Sequence, residues 1–193
     1  HLPDKIKNQK LISEKDLPSV EEKYLLFSTG AKILCQNGYE HIGMDHFALP
    51  DNYLYKAKMQ NQLKRTFMGY TDKKSAILIG LGPTAISDSS LSFAQNIKEP
   101  KNYIEAINDG KLPIEVGHIQ NEKDLLTQDI IQKIMCQKKI TISHWPDIPY
   151  AEIIQKELSE LASEKIISFN NNEIEVTELG TSFLRNIAVI FDY

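Results

Sequence analysis

The apolar positions in the first half of the chain alternate between helical and strand spacing. Residues 19–22, Ser-Val-Glu-Glu, have the spacing of a capping box, and the apolar residues after them predict a helix over 19–36. Residues 40–47 predict a strand that delivers its last side chains to a pocket rim, and Asp51 is predicted to begin a second helix. The apolar run over 75–81 predicts a short buried strand. This alternation favours a parallel sheet with helices outside it.

The pattern changes near Gly110 and becomes mostly helical. The predicted elements are a helix over 125–135, a helix over 150–161, a hairpin over 166–176 and a last helix capped by Thr177. The hairpin is predicted because the asparagines at 170–172 tolerate the positive φ of a tight turn. Since this order of elements resembles a winged helix, we predict two domains, 1–118 and 119–193.

The composition indicates a cytoplasmic globular protein. Of the 193 residues, 41% are hydrophobic, but no apolar run reaches the ~18 residues of a membrane span, and no charged-then-apolar leader predicts export. Two cysteines are too few for a disulfide framework. The formal net charge is -4, which argues against binding to nucleic acid. We therefore expect a soluble cytoplasmic protein with neither membrane nor nucleic acid as a partner.

Glycines, ionisable residues and aromatics cluster between Gly38 and Ile86 in a mixture that core packing does not require. The motifs of the chain are HLP at 1–3, GYEHIGMDHFALPD at 38–51, RTFMGYT at 65–71, LIGLGPTAIS at 78–87, QN at 95–96 and RNIAVIFDY at 185–193. On these motifs the sequence resembles the C-terminal half of oxygen-independent coproporphyrinogen III oxidases, which are radical S-adenosylmethionine (SAM) enzymes of haem biosynthesis. The resemblance implies an α/β plus α fold, with the last strands and helices of a TIM-like barrel followed by a mostly helical, winged-helix-like domain.

The resemblance also implies a cofactor whose ligands are not in this chain. The family has a Cys-x-x-x-Cys-x-x-Cys loop for a four-iron four-sulfur cluster, whereas Cys35 and Cys136 lie far apart in apolar helical patterns that predict buried core thiols. We therefore expect the missing N-terminal part of the same polypeptide to carry the cluster. The 193-residue chain alone is expected to bind no iron and to be inactive. The whole protein is expected to be a monomer, and the sequence identifies no electron donor for it.

The substrate and SAM sites follow from the same resemblance. The whole enzyme would bind two SAM molecules and oxidatively decarboxylate two propionates of coproporphyrinogen III to vinyl groups, giving protoporphyrinogen IX. The second SAM is expected to contact Phe67, Met68 and Ile86, although the family usually has glutamine at the position of Met68.

Charged residues near these motifs are candidates for binding the substrate. Propionates require cations, and the candidates are Lys64, Arg65 and Arg185. Asp45 and His46 are expected to hydrogen-bond within the pocket, where they either order it or relay protons near the substrate.

Several alternatives accompany this assignment. A winged helix can bind DNA, but the residues from 147 to 193 include nine acidic side chains against three basic ones, which disfavours a DNA reader. A haem-trafficking relative of the oxidases is the other possibility for the whole protein, and the sequence leaves it open, although such relatives generally lack the tail seen at 185–193.

Two local motifs also have alternative explanations. Gly80-x-Gly82-x-x-Ala85 resembles a dinucleotide fingerprint, but the residues after it are poor helix formers. Asp45 and His46 are metal-ligand types, but no third ligand follows at a useful spacing, and His41 is expected on the opposite strand face because its separation from His46 is odd. We therefore predict no metal site among these residues.

Overall fold

The computed structural model describes residues 1–73 and 75–192. Its helices are α1 (Val20–Gln36), α2 (Tyr53–Met59), α3 (Pro100–Asn108), α4 (Glu122–Gln137), α5 (Ala151–Ser163) and α6 (Leu184–Val189). Its strands are β1 (Glu40–Gly43), β2 (His46–Ala48), β3 (Lys64–Thr66), β4 (Gly69–Thr71), β5 (Ile86–Asp88), β6 (Ser92–Asn96), β7 (Ile114–Ile119), β8 (Lys139–Thr141), β9 (Ile167–Asn170) and β10 (Glu173–Val176). The described residues therefore form an α/β protein with small sheets.

The first two helices begin at side-chain caps. Ser19 Oγ accepts a hydrogen bond from the Glu22 N–H at 3.1 Å, and the Glu22 carboxylate accepts one from the Ser19 N–H at 2.7 Å. This reciprocal pair is the predicted capping box of α1. The second helix starts later than predicted, because Asn52 rather than Asp51 caps it by accepting from the Leu54 N–H at 2.9 Å.

The strands pair in antiparallel sheets, in the orders β1-β2, β3-β4, β5-β6-β7 and β8-β10-β9. The predicted parallel sheet is therefore wrong for the described residues. Turns of two or three residues join β1 to β2, β3 to β4 and β5 to β6. Such turns connect antiparallel neighbours, whereas a parallel pair needs a crossover of roughly a dozen residues.

The segment 75–81 does not form the predicted buried strand. Leu78 makes one isolated antiparallel bridge, to Asp88, while Ile79 and Leu81 are 74% and 85% exposed. The backbone after Leu78 leaves the sheet because Gly80 hydrogen-bonds to side chains, donating to Ser87 Oγ at 3.0 Å and accepting from Asn96 Nδ2 at 3.0 Å. The apolar composition of the segment does not reveal that Gly80 hydrogen-bonds to side chains instead of to a neighbouring strand.

The second half of the chain forms the larger part of the hydrophobic core. The predicted hairpin is confirmed: β9 and β10 pair in antiparallel register, and Asn171 in their turn has a φ of 52°. Thr177 Oγ1 accepts from the Gly180 N–H at 3.0 Å, as the predicted cap requires, but a 3₁₀ helix precedes α6. The most deeply buried side chains here are Ile134, Ile154, Leu158, Ile174, Leu184 and Ile187.

The same core extends into the first half of the chain through Ile42, Ala48, Ala57, Leu63 and Tyr70. The helix α1 does not share it, since none of its residues is buried. Every residue of β7 is exposed as well. Among residues 1–73 and 75–192, no helix combines the length and apolar character of a membrane span.

Candidate functional site

A cavity of about 760 Å³ lies between the β3–β4 hairpin and α4, with part of the segment 75–90 along its edge. Four of the predicted site residues line it, namely Lys64, Arg65, Phe67 and Met68. The other four, Asp45, His46, Ile86 and Arg185, are not among its lining residues. The structure thus brings together the substrate and SAM candidates of the RTFMGYT motif.

Arg65 is fixed through both its backbone and its side chain. Its N–H donates to Gln132 Oε1 at 3.0 Å, and its carbonyl oxygen accepts from Gln132 Nε2 at 2.5 Å. Its guanidinium carbon lies 4.9 Å from the centre of the Tyr70 ring. Its Nη1 is buried and has no hydrogen-bond partner within the described residues. Since a buried cationic donor without an acceptor is costly, Nη1 is a candidate for binding an anionic group.

Tyr70 is the buried centre of this region. Its hydroxyl donates to the carbonyl oxygen of Met135 in α4 at 2.9 Å, and its ring meets the His46 ring edge-on at 5.1 Å. Gly43 packs directly against the hydroxyl, because a Cβ at position 43 would lie 2.4 Å from Tyr70 Oη. This close approach explains the glycine in the GMDHF motif.

Asp45 lies in the two-residue turn between β1 and β2, and His46 begins β2, so the two residues do not end one strand as predicted. Met44 begins this turn with a φ of 46°, and His46 Nδ1 donates to Asp45 Oδ1 at 2.9 Å. Slight burial raises the pKa of Asp45, but hydrogen bonds from its own backbone and from His46 outweigh that effect and lower it. Asp45 is therefore an ionised partner that orients the His46 ring.

His41 and His46 lie on two strands rather than on the one predicted, because the turn interrupts it. His41 pairs with Phe47, the residue next to His46, and this register agrees with the expected opposite faces. His41 stacks on Phe47 with ring centres 4.6 Å apart. Burial, followed by the charges of Lys138 and Lys58, lowers the pKa of His41 despite its hydrogen bond to Met44. The histidine therefore belongs to the packing of the β1–β2 hairpin.

Burial governs the acidity of two groups beside the cavity. It raises the pKa of Tyr70 from 10.0 to about 12 and the pKa of the Cys136 thiol from 9.0 to about 11. Both pKa values are higher in the folded state than in the unfolded state, so the folded state is favoured while the two groups are neutral. This contribution to the free energy of unfolding is fully present at pH values below the pKa values of the unfolded state. It is lost as pH rises through about 9 to 11 for Cys136 and about 10 to 12 for Tyr70.

We expect Tyr70→Phe to lower the free energy of unfolding by about 1–2 kcal/mol at neutral pH, because the buried Met135 carbonyl loses its donor. This difference from the wild type should shrink between pH 10 and 12, since only the wild type must then ionise a buried phenol. Urea unfolding of both proteins at neutral pH and at the highest pH they tolerate measures this. A constant difference across the pH range would contradict the prediction.

The Gly80-x-Gly82 loop is held by residues that follow it in sequence. Asn96, the buried polar residue of the QN motif, donates through Nδ2 to the carbonyl oxygens of Gly80 and Gly82, both at 3.0 Å. The Gly82 N–H donates to the Tyr103 hydroxyl at 3.1 Å. The strand β5 follows this loop, so there is no helix N-terminus to meet a pyrophosphate, and the dinucleotide alternative is wrong.

The residues predicted to contact the second SAM lie on neighbouring elements. Phe67 is 60% exposed and meets Phe93 of β6 edge-on at 5.3 Å. Met68, beside it at the hairpin tip, is 89% exposed. Ile86 is half-buried in β5, which pairs with β6. Phe67 thus meets the β5–β6–β7 sheet at Phe93, which pairs with Asp88, whereas Ile86 pairs with Gln95 at the other end of β5.

Neither cysteine is placed to hold an iron–sulfur cluster. Cys35 is exposed on α1, so its predicted burial is wrong, and no other residue of α1 is buried either. Cys136 is buried, as predicted. Residues 1–73 and 75–192 contain no group of three His, Cys, Asp or Glu side chains that could hold a metal ion. The described part of the chain therefore does not fit a four-iron four-sulfur cluster.

Sequence reasoning missed Gln132, Met135 and Tyr70 as parts of the site. Gln132 and Arg65 are 67 residues apart, and nothing in the local pattern of α4 distinguishes Gln132 from its neighbours. Tyr70 lay within the RTFMGYT motif and could have been identified from it. Arg185, by contrast, is an exposed residue of α6.

The fold has a close counterpart among solved structures. The structure of coproporphyrinogen III oxidase from Escherichia coli, described as a radical SAM enzyme, matches with a TM-score of 0.89 and 32% sequence identity. The match covers 100% of this chain and 46% of that one. The chain therefore shares the fold of part of that radical SAM enzyme.

Sequence comparison gives the family more narrowly. Oxygen-independent coproporphyrinogen III oxidases from Helicobacter pylori and Escherichia coli are 34% and 32% identical over 198 and 199 residues. The anaerobic coproporphyrinogen III oxidase 1 of Cereibacter sphaeroides is 34% identical over 204 residues. No family model matches the chain. The chain is thus similar over its full length to oxygen-independent coproporphyrinogen III oxidases, as its motifs predicted, and it spans about 43% of the length of these relatives, 44% for the last.

Proposed function

We propose that the chain is the C-terminal part of an oxygen-independent coproporphyrinogen III oxidase that acts in haem biosynthesis. The whole protein would oxidatively decarboxylate two propionates of coproporphyrinogen III, each losing a hydrogen atom, carbon dioxide and one electron to become a vinyl group. The observation that carries this proposal is the buried, unpartnered Arg65 Nη1 beside a cavity of about 760 Å³, in a chain that matches these oxidases over its full length.

In this proposal, Arg65 binds a substrate propionate. Its guanidinium presents a planar fork of N–H donors that suits a carboxylate. Before substrate arrives, the Tyr70 ring contacts the guanidinium and Gln132 holds the Arg65 backbone. Lys64 lines the same cavity and supplies a second positive charge. Arg185 remains a proposed contact for another propionate, reached from α6 rather than from the cavity.

The second SAM is proposed to lie against the hairpin tip. The exposed ring of Phe67 and the side chain of Ile86 fit an adenine face, and Met68 can contact the same molecule by van der Waals packing. The cluster and its SAM, held outside this chain, would supply the radical chemistry at the propionate. Asp45 and His46 orient each other nearby, and their proposed role is to order the pocket or to hold a proton.

Apolar side chains of α1 and β7 are exposed in this chain, and we propose that the rest of the same polypeptide covers them. Leu25 and Leu26 of α1 are 64% and 65% exposed, and Ile119 of β7 is 84% exposed. Surfaces of this kind mark interaction sites. We propose that residues 1–118 complete a TIM-like barrel with the missing part, which carries the cluster, and that 119–193 form the winged-helix-like domain of a cytoplasmic monomer.

Turnover tests the proposal. The longer polypeptide that contains these 193 residues, purified without oxygen, is incubated with coproporphyrinogen III, SAM and a low-potential reductant. We expect protoporphyrinogen IX, identified after oxidation by chromatography and mass, whereas the 193-residue chain alone should yield no product and contain no iron. An iron-loaded polypeptide that makes no product but binds haem tightly would overturn the proposal in favour of a haem-trafficking protein.

A further inference from the structure

The outer edge of β3 is paired by a side chain instead of a strand. β3 has one strand neighbour, β4, with Arg65 opposite Tyr70. On its other edge, the Arg65 N–H and carbonyl oxygen bond to the two ends of the Gln132 amide. A primary amide offers one acceptor and donors in the same plane, so Gln132 satisfies Arg65 as the peptide group of a third strand would.

A second contact from α4 holds the opposite strand of the hairpin. The Tyr70 hydroxyl donates to the Met135 carbonyl oxygen, which lies about one helical turn beyond Gln132. The two cross-strand neighbours Arg65 and Tyr70 are therefore each bonded to α4. These two contacts fix the position of the β3–β4 hairpin relative to α4, on the other side of the cavity. Phe67 and Met68 lie at the free end of that hairpin.

We infer that Gln132 is a positioning residue for the reaction: it sets the orientation of Arg65 and of the hairpin tip from a helix that belongs to the other half of the chain. This inference rests on the proposed function. Without the Gln132 amide, the Arg65 backbone loses both of its hydrogen bonds to that side chain, and the guanidinium fork is less firmly fixed relative to the cavity. Since reacting groups must be held within a fraction of an ångström, a loosened fork lowers the rate with correct substrate.

The test compares Gln132→Leu with Gln155→Leu in the longer polypeptide. Gln132 lines the cavity, whereas Gln155 lies on α5 and is not among the lining residues, and leucine keeps the volume while removing the amide. For Gln132→Leu we expect faster hydrogen exchange over residues 64–71, about tenfold to a hundredfold lower kcat/KM for coproporphyrinogen III, and more 5′-deoxyadenosine released per product. Gln155→Leu should match the wild type in all three measurements.

A third variant, Gln132→Glu, separates the amide's two functions. The carboxylate still accepts from the Arg65 N–H but offers no donor to its carbonyl oxygen, so the variant should fall between the wild type and Gln132→Leu. If exchange accelerates in Gln132→Leu while kcat/KM and the deoxyadenosine ratio stay at wild-type values, the positioning role is wrong. If the wild type makes no product, the proposed function fails. Unchanged hydrogen exchange in Gln132→Leu would independently contradict the inference that Gln132 holds the β3–β4 hairpin.

Discussion

Replacing Gly43 with alanine should destabilise the protein by about 3 kcal/mol, near the upper end for overpacked cores. The added methyl would lie 2.4 Å from Tyr70 Oη and 2.6 Å from its Cζ. Tyr70 cannot move aside freely, because it is buried and bonded to the Met135 carbonyl. Either the β1–β2 hairpin shifts, or Tyr70 leaves α4 and takes the stacked Arg65 with it.

Urea unfolding measures the loss, and Gly30→Ala is the matched control. Gly30 lies within α1 and has nothing within 4 Å of an added Cβ, so alanine there should raise stability by about 0.5–1 kcal/mol through helix propensity. The double variant Gly43→Ala with Tyr70→Leu should lose less than the sum of the two single changes, because leucine removes the clash. Additive losses would show that the proposed clash is not the cause.

Replacing Arg65 with methionine in the longer polypeptide should reduce kcat/KM for coproporphyrinogen III about a hundredfold. This equals about 2.7 kcal/mol and falls within the range for truncating one partner of a buried, hydrogen-bonded charge pair. Methionine keeps an apolar stem against the Tyr70 ring, so the melting temperature should change little. Steady-state kinetics without oxygen measure the effect.

Two further variants show whether the fork geometry matters. Arg65→Lys keeps the charge but not the bidentate donors and should recover only part of the lost rate. Lys73→Met removes another positive charge that lines the cavity, but the Lys73 side chain is 81% exposed, so screening by solvent makes its effect small. If Arg65→Met keeps wild-type kinetics, the propionate does not bind there.

Local signals in the sequence predicted local structure. The capping box at Ser19 and Glu22 needs only residues three apart, and it formed as expected. The hairpin at 166–176 followed from asparagines in a two-residue turn between apolar strands. In both cases, the atoms that stabilise the element lie within a few residues of each other, so composition and spacing contain the necessary information.

Predictions failed where the partner was distant in sequence. The run at 75–81 has the composition of a buried strand, yet Asn96 draws the Gly80 and Gly82 carbonyls away from any strand neighbour. Cys35 lies in an apolar helical pattern, yet α1 packs against nothing that would bury it in the described residues. An apolar face shows that a partner is favoured, but it does not identify the partner.

The residues of the candidate site could be selected from the sequence, but their assembly could not. The RTFMGYT motif drew attention to Arg65 and Phe67, which both line the cavity, and the family resemblance was confirmed by the comparisons. The α4 contacts through Gln132 and Met135 join residues more than sixty positions apart. The spacing of apolar residues predicts that one segment is a helix and the other a strand. It does not show which side chain of the helix will hydrogen-bond to which residue of the strand.

The contact between Arg65 and a substrate carboxylate tests the account most directly. An oxygen-free crystal structure of the longer polypeptide with bound coproporphyrinogen III, or with the oxidised porphyrin as a stable analogue, would show it. We predict a propionate oxygen within hydrogen-bond distance of Arg65 Nη1, in the cavity between the β3–β4 hairpin and α4. A tetrapyrrole bound elsewhere, with Nη1 still without an acceptor, would contradict the account.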